Sequence, residues 1–158
     1  MPHMSHIVAV LVSTAAKATM IEEIDRECAA ETGGLLLGEY DASDRAHVMA
    51  ATGPGPNARK TKNRVDFDAR FLQQEQDRLM HEASHLRFLG DWHYHPQGDG
   101  APSSKDGRVL MELTCDPDYQ LGGLATILVL YSDRFLHVRA FRLRKLSRLV
   151  EIPAQFAS

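Results

Sequence analysis

Residues 86–106 read LRFLGDWHYHPQGDGAPSSKD and pass from a strand pattern through a loop to the start of a helix. The apolar and aromatic residues of Leu86–Tyr94 are typical of a strand. Proline and glycine residues predict an irregular loop over Pro96–Pro102. Ser103 or Ser104 is a suitable cap for a third helix of the chain. The stretch therefore predicts that a strand end, a loop and a helix start lie close together.

Two histidines alternate with aromatic residues at the end of this strand. Successive side chains on a strand point to opposite faces, so His93 and His95 share one face, while Trp92 and Tyr94 share the other. Asp106 falls in the first turn of the next helix, which the loop can fold back onto the strand end. Two imidazoles and one carboxylate are a normal ligand set for catalytic zinc, with a fourth position left for water. The stretch predicts a zinc site at His93, His95 and Asp106.

A hydrolytic site of this kind also needs a proton acceptor and a donor to a developing oxyanion. Glu31 precedes a strand flanked by Gly34 and Gly38 and is the candidate proton acceptor. Ser103 lies three residues before Asp106 and is the candidate hydrogen-bond donor. We expect both residues at the same site as the zinc ligands.

Three segments together resemble the signature of the JAMM, or MPN-plus, zinc metalloproteases, whose domain is also called JAB. They are ETGGLLLG at 31–38, HYHP at 93–96 and SSKD at 103–106. The family pattern is a distant glutamate, then HxH, seven intervening residues and SxxD, and residues 96–102 are those seven. The element order also agrees with the family fold over nearly all of the remaining chain.

The resemblance implies an α/β (α+β) fold with a mixed, mostly antiparallel sheet and helices packed on it, the cytidine-deaminase-like JAB/MPN fold. It implies one Zn²⁺ per chain on His93, His95 and Asp106. Glu31 is then the general base that activates water and passes the proton to the leaving amine. Ser103 is then the donor to the oxyanion.

Each of these residues also has an ordinary structural interpretation. Ser103 and Asp106 fit a helix capping box. His93 and His95 fit histidines that are satisfied within a sheet, and Glu31 fits a surface carboxylate at a helix end. Their joint occurrence at matching spacing favours the site. A cap and a catalytic role are compatible.

The substrate expectation also comes from the resemblance. JAMM proteases hydrolyse peptide or isopeptide bonds at the C-terminus of ubiquitin or ubiquitin-like proteins. This chain resembles the compact prokaryotic JAB-type members, because only Asp116–Leu124 separates the third predicted helix from the next strand. Implied partners are a small β-grasp protein with a C-terminal glycine, or its conjugate, and E1-like and E2-like enzymes of the same operon. We expect the substrate tail to add as a strand beside a sheet edge near Gly33–Gly38.

Two alternatives stay open. The RadC-like branch of the superfamily also shows HxHP followed by Pro-Ser-x-x-Asp, which His93–Asp106 fits well. The glycine-flanked leucine strand, and the absence of an N-terminal helical DNA-binding region, fit that branch less well. A non-catalytic MPN scaffold for protein contacts is the second alternative. Such domains usually lack the ligands, whereas this chain has all of them.

A second zinc pattern lies nearby, because His81-Glu-Ala-Ser-His85 matches HExxH. His81 and His85 fall on the polar side of the predicted helix. A metzincin-like continuation needs glycine at 88 and histidine at 91, where this chain has Phe88 and Asp91. We therefore predict that HExxH is not the catalytic site.

The rest of the chain predicts further strands and helices around this site. Ser13 or Thr14 is expected to cap a helix whose inner face carries Ala18, Ile21, Ile24 and Cys28. Asp68 is expected to cap a second helix that runs to about Ser84, with Phe67 and Leu72 as a hydrophobic staple. The remaining predictions are strands at Ile7–Val12, Leu35–Leu37, His47–Ala51, Thr126–Tyr131, Leu136–Leu143 and Leu149–Ile152, and a loop through Gly53–Asn57.

The bulk composition sets broad limits. The chain of 158 residues is 44% hydrophobic and 25% charged, which fits one globular domain over 1–158. The formal net charge of −3 gives no reason to expect nucleic acid. Cys28 and Cys115 have no CxxC partner and are expected to be core thiols in a reducing cytoplasm. No apolar run is long enough to span a membrane, and Met1–His3 are interpreted as a cloning remnant before a natural start at Met4.

Overall fold

The computed structural model describes residues 7–27, 29–98, 100–108, 126–144 and 148–158. The predictions for Cys28, Cys115 and the later part of the third helix lie outside these ranges. The helices are α1 (Thr14–Glu27) and α2 (Ala69–Glu82), and residues 104–108 form a further short helical segment. The strands are β1 (Ala9–Val12), β2 (Thr32–Tyr40), β3 (Arg45–Ala51), β4 (Arg59–Lys60), β5 (Val65–Asp66), β6 (Arg87–His95), β7 (Thr126–Ser132), β8 (Leu136–Arg144), β9 (Arg148–Ile152) and β10 (Ala154–Phe156).

Eight of these strands form one sheet in the order β10-β1-β3-β2-β6-β7-β8-β9, and β4 pairs with β5 in a separate hairpin. Within the described ranges, β2–β3, β2–β6, β7–β8 and β8–β9 are antiparallel, and β1–β10, β1–β3 and β6–β7 are parallel. The predicted mixed, mostly antiparallel sheet is confirmed. β10 was not predicted, since it follows β9 after Pro153 and pairs with a strand from the other end of the chain.

The two helices cover opposite faces of the sheet. On one face, Met20 and Ile24 of α1 belong to a core cluster with Trp92. On the other face, Leu72 of α2 belongs to a second cluster. The Trp92 side chain is fully buried, and its indole N–H donates a hydrogen bond to the Thr52 carbonyl at 2.9 Å.

The inner face of α1 differs from the predicted one. Ala16, Met20 and Ile24 are buried, whereas Ala18 is exposed and 36% of the Ile21 surface is accessible. The predicted residues Ala18, Ile21 and Ile24 are three apart, a period shorter than the 3.6 residues of a helical turn, so they drift around the helix and only Ile24 of the three is buried. The observed residues are four apart and stay over the sheet. The predicted cap is confirmed, since the Ser13 hydroxyl accepts the Ala16 N–H at 3.1 Å.

The start of α2 agrees with the prediction. Asp68 is the N-cap residue, and its carboxylate accepts the Phe71 N–H at 3.2 Å. Phe67 and Leu72 lie in the same core cluster, as a hydrophobic staple requires. The helix ends at Glu82, slightly earlier than predicted. Among the helices described, none is long and apolar enough to cross a membrane.

A β-bulge in β6 decides which face receives the histidines. The pairing of β6 with β2 skips Leu89, next to Gly90. Gly90 has φ of +142°, and a Cβ there would lie 1.8 Å from the Thr126 carbonyl oxygen, so only glycine fits. Because of the extra residue, Leu89 and Trp92 both face α1, although they are three apart. His93 consequently faces the side of the sheet that α2 covers.

The expected sheet edge near Gly33–Gly38 is wrong for its second half, because Leu36–Tyr40 pairs with β3. Thr32–Gly38 pairs with β6 on the other side, and over 32–35 β6 is the only paired strand among the described residues. A Cβ at Gly34 would lie 1.9 Å from the Thr52 carbonyl oxygen. The glycine therefore permits a close approach of the chain to itself. A substrate strand cannot add along Leu36–Gly38.

Candidate active site

The antiparallel pairing of β2 and β6 brings Glu31 to the end of the histidine strand. Thr32 pairs with Tyr94, so Glu31, one residue before β2, lies beside the last residues of β6. The Glu31 N–H is held by the Thr61 carbonyl at 2.7 Å. The chain leaves β6 at His95 and crosses over towards the parallel strand β7, and the helical segment 104–108 lies within that connection. Distant parts of the sequence thus meet at one end of the sheet.

The four residues predicted for the metal and the base converge there. His93 Nδ1 lies 3.6 Å from Asp106 Oδ1, and His95 Nε2 lies 3.5 Å from Asp106 Oδ2. His95 Nε2 also lies 3.8 Å from Glu31 Oε1. The carboxylate of Asp106 therefore lies near both imidazoles, and Glu31 and Asp106 both lie near the same nitrogen of His95.

The environment of these groups suits a bound cation. His93, His95 and Asp106 are buried, and Phe67 stacks on the His93 ring with centroids 5.4 Å apart. Neither ring nitrogen of His93 has a hydrogen-bond partner in the part of the chain that the structure describes. Buried polar atoms are normally satisfied, so this histidine lacks a partner that a metal would supply.

The spacing of the ligand atoms is close to that of zinc but not fully closed. Tetrahedral nitrogen and oxygen ligands at about 2.0–2.1 Å from zinc are roughly 3.3–3.4 Å from each other. The two measured separations of 3.5 and 3.6 Å are slightly larger. Over the described ranges, no group of three or more His, Cys, Asp or Glu side chains is arranged closely enough to hold a metal ion. The residue types of His93, His95 and Asp106 are nevertheless those of a catalytic zinc site.

Ser103 and Asp106 form the reciprocal bonds of a capping box. The Ser103 N–H donates to Asp106 Oδ2 at 2.8 Å, and the Asp106 N–H donates to Ser103 Oγ at 3.1 Å. The structural interpretation of this pair is therefore correct. The bond uses the hydroxyl oxygen as an acceptor, so the hydroxyl hydrogen is left for another partner. The cap also fixes the orientation of the Asp106 carboxylate beside the histidines.

Burial and neighbouring charges shift the pKa values of this cluster. Burial raises the pKa of Glu31, although the histidines oppose the shift. Burial also disfavours ionised Asp106, but His95, His93 and the Ser103 N–H outweigh it and lower the pKa of Asp106 to about 2. Burial disfavours the charged form of His93, yet the carboxylates around it raise its pKa. Asp106 is thus held as a carboxylate, while Glu31 is tuned towards taking up a proton.

A cleft of about 230 Å³ opens onto the cluster. Glu31 and His95 form one side of it, and Ser103 forms another. Lys62 and Asn63, in the connection between β4 and β5, also line it, together with Pro96, Gln97, Ala101 and Pro102. The cleft gives an extended chain access to Glu31 and His95 together.

The β4–β5 hairpin is fastened to the segment that carries Asp106. Lys105 Nζ donates to the Val65 carbonyl at 3.3 Å and forms an ion pair with Asp66. Sequence reasoning missed this tether, because nothing in the local sequence links residues 40 positions apart. It also assigned Phe67 only to the helix staple, although this ring covers His93.

The HExxH residues lie elsewhere and lack the geometry of that motif. Helix α2 ends at Glu82, so His85 is beyond the helix. His81 and His85 are both exposed. The motif requires two histidines on one face of a continuous helix, and this chain does not provide it.

A mixed sheet that brings a His-x-His strand end, a glutamate and a capped aspartate together beside one cleft is the arrangement of a JAB-type domain. Residues 13–143 match the family described as prokaryotic homologs of the JAB domain, and the chain belongs to this family.

Individual relatives add detail. The chain is 32% identical over 117 residues to a CD-NTase/cGAS isopeptidase of Enterobacter hormaechei subsp. hoffmannii (strain UCI 50). The match covers 70% of this chain and 61% of that protein. The solution structure of protein DSY2949 from Desulfitobacterium hafniense has the same fold, with a TM-score of 0.70 and 18% identity. That likeness covers 94% of this chain and 93% of the other.

Proposed function

We propose that the chain is a zinc-dependent isopeptidase that cleaves the bond after the C-terminal glycine of a ubiquitin-like protein. It would remove the ubiquitin-like protein from its conjugates or trim its precursor. The convergence of Glu31, His93, His95 and Asp106 at the end of one cleft carries this proposal. Membership of the JAB family and the name of the Enterobacter relative support it.

In this proposal His93, His95 and Asp106 would hold zinc. When bound, zinc polarises a carbonyl and lowers the pKa of water towards about 7. Glu31 accepts the proton of the attacking water at its carboxylate, 3.8 Å from His95. The raised pKa of Glu31 suits it to give this proton to the leaving amine afterwards. The C–N bond breaks, and the products are a carboxylate and a free amine.

Ser103 supplies the remaining group. Its hydroxyl hydrogen is not used by the capping bond, and the residue lines the same cleft as Glu31. A donor at this position would stabilise the oxyanion that forms as water attacks the carbonyl. The backbone bonds of the cap keep this serine in place without further rearrangement.

We propose that the substrate tail binds in the cleft, since β3 and β6 cover both sides of β2 over Leu36–Gly38. An extended glycine-containing tail would pass between Glu31 and the loop carrying Lys62 and Asn63. The Enterobacter relative is named for conjugates of a CD-NTase, which makes a conjugated nucleotidyltransferase one candidate substrate. E1-like and E2-like enzymes that build such conjugates are the proposed cytoplasmic partners.

The decisive experiment uses purified protein and a panel of ubiquitin-like fusions, including one fused to a nucleotidyltransferase. We expect cleavage after the terminal glycine, its loss after treatment with a zinc chelator, and recovery on addition of Zn²⁺. Absence of cleavage across the whole panel would argue against the proposal and favour a protein-binding scaffold. The Glu31→Gln variant separates these classes, because an enzyme retains zinc and loses turnover while a scaffold is unaffected.

A further inference from the structure

A third carboxylate lies behind the predicted ligands, and the mechanism above does not use it. The Asp91 side chain is fully buried. Neither of its oxygens accepts a hydrogen bond from the residues that the structure describes. In the sequence, Asp91 stands where the metzincin pattern has a histidine. In the fold, it is a buried carboxylate next to the proposed ligand His93.

The neighbours of Asp91 in the sheet do not replace the hydrogen bonds that its carboxylate would make to water. In the sheet it pairs with Leu35 on one side and with Ile127 on the other. Both neighbours belong to the apolar cluster under α2. A carboxylate in such a place is costly unless a hydrogen-bond donor or a cation lies close to it. A residue chosen only for packing would be apolar at this position.

The polar group nearest to Asp91 is the imidazole of His93. The two residues are two apart on β6 and face the same side of the sheet. Asp91 Oδ2 lies 3.3 Å from His93 Nε2, close enough for a hydrogen bond although the ring N–H is not well aimed. The other ring nitrogen, Nδ1, lies 3.6 Å from Asp106 Oδ1. His93 therefore stands between two carboxylates, with one nitrogen towards each.

This arrangement bears on which ring nitrogen of His93 carries the proton. A neutral imidazole has one N–H and one lone pair, and only the lone pair can bind a metal. A carboxylate next to one nitrogen favours the proton there. The lone pair of His93 is then left on the nitrogen that faces Asp106. Outer carboxylates of this kind orient metal-binding histidines and make them better ligands.

We propose that Asp91 is a positioning residue of the zinc centre, holding the proton on the His93 nitrogen beside it and the ring in its binding orientation. Asp91 itself does not touch zinc or substrate. The inference rests on the proposed function only in requiring zinc at His93, and it requires no particular substrate. It also accounts for a buried carboxylate that has no other donor among the described residues.

The test is the zinc affinity of folded variants, measured by competition with a chromogenic chelator and without substrate. We expect Asp91→Asn, which is nearly isosteric, to weaken zinc binding by about 10-fold, and Asp91→Ala by up to about 100-fold. Asp91→Glu should restore part of the loss. The matched control is Thr126→Val, since Thr126 is equally buried beside β6 but donates its hydrogen bond to the Phe141 carbonyl. Its zinc affinity should stay within twofold of the wild type.

A second readout reports the proton directly. Nitrogen-15 correlation spectra of the zinc-loaded wild type should show a single His93 tautomer, protonated on the nitrogen next to Asp91. In the zinc-loaded Asp91→Asn variant the proton should stay on that nitrogen but exchange faster with water, because the carboxylate that holds it is gone. Because this variant keeps shape and volume, the comparison remains possible even if the alanine variant does not fold.

The outcomes separate this inference from the proposed function. Wild-type zinc affinity in folded Asp91→Asn and Asp91→Ala would overturn the inference and leave the proposed function intact. Weaker binding in these variants, with no cleavage of any fusion by the wild type, would support the inference and count against the isopeptidase. A wild type that binds no zinc would overturn both.

Discussion

Two pairs of histidines in this chain both match zinc motifs, and their surroundings differ completely. His93 and His95 lie at the end of a central strand, buried, within 3.6 Å of a shared aspartate. His81 and His85 lie at and beyond the end of α2, exposed to solvent. The HExxH match at 81–85 is therefore longer in sequence than the HxH match at 93–95, but its structural support as a metal site is weaker. A metal site depends on burial and on a third ligand brought from elsewhere, which short motifs do not encode.

The largest expected contrast between the two pairs comes from removing one histidine of each. His95→Ala should abolish cleavage and reduce bound zinc, because it deletes a proposed ligand. The loss should exceed the roughly 10–100-fold typical of residues outside the ligand shell. His85→Ala should leave both quantities unchanged. The measurements are the cleavage rate of a ubiquitin-like fusion and the zinc content of each variant. Loss of activity in His85→Ala with full activity in His95→Ala would contradict the assignment.

The next contrast uses the glutamate that accompanies each pair. Glu31→Gln should lower kcat by about 10²–10⁴-fold, the usual contribution of a general base, while zinc stays bound. Glu82→Gln, the equivalent change in HExxH, should alter neither. Single-turnover rates and zinc stoichiometry on the same samples are the measurements. Equal activity of the two variants would remove Glu31 from the mechanism.

A smaller contrast compares the two helix caps. Ser103→Ala should lower kcat by about 10²-fold if the hydroxyl stabilises an oxyanion. Asp68→Ala removes the cap of α2 and should cost about 1 kcal/mol of unfolding free energy with little change in kcat. Urea unfolding beside steady-state kinetics distinguishes them. A Ser103→Ala variant that loses stability alone would reduce Ser103 to a capping residue.

The smallest contrast concerns two cationic residues, Lys105 beside the proposed zinc site and Arg78 on the helix that carries HExxH. Lys105→Met releases the β4–β5 hairpin from the segment carrying Asp106, and we expect KM for a fusion substrate to rise several-fold with kcat within about twofold. Arg78→Met, on the exposed face of α2, should change neither constant. A kcat effect at Lys105 as large as that at Ser103 would contradict its role as a tether.

Much of the fold could be predicted because its signals are local. The Asp68 cap, the hairpin of β7 and β8, and the alternation that puts His93 and His95 on one face all follow from neighbouring residues. The convergence of Glu31 with Asp106 was expected only through family resemblance. Spacing alone cannot say which strands pair.

The failures have a common physical origin in contacts between distant residues. The inner face of α1 was misplaced partly because Glu23 is buried, and it is stabilised by the Thr32 hydroxyl at 2.8 Å and by Lys60. β2 was expected at an edge near Gly33–Gly38, and β3 covers it from Leu36 onwards. Asp91 looked unimportant because its burial between Leu35 and Ile127 depends on the pairing of β6 with β2 and β7.

The pairing of β2 with β6 also sets the order in which the site is assembled during folding. The three proposed ligands lie within about a dozen residues of one another, so a short loop closure can gather them. Glu31 joins them only when Thr32 meets Tyr94, a closure spanning about 60 residues. A nascent or partly unfolded chain could thus capture its cation while still lacking the proton acceptor. In the proposed mechanism, hydrolysis therefore requires the complete pairing of β2 with β6, because the ligands alone do not supply the proton acceptor.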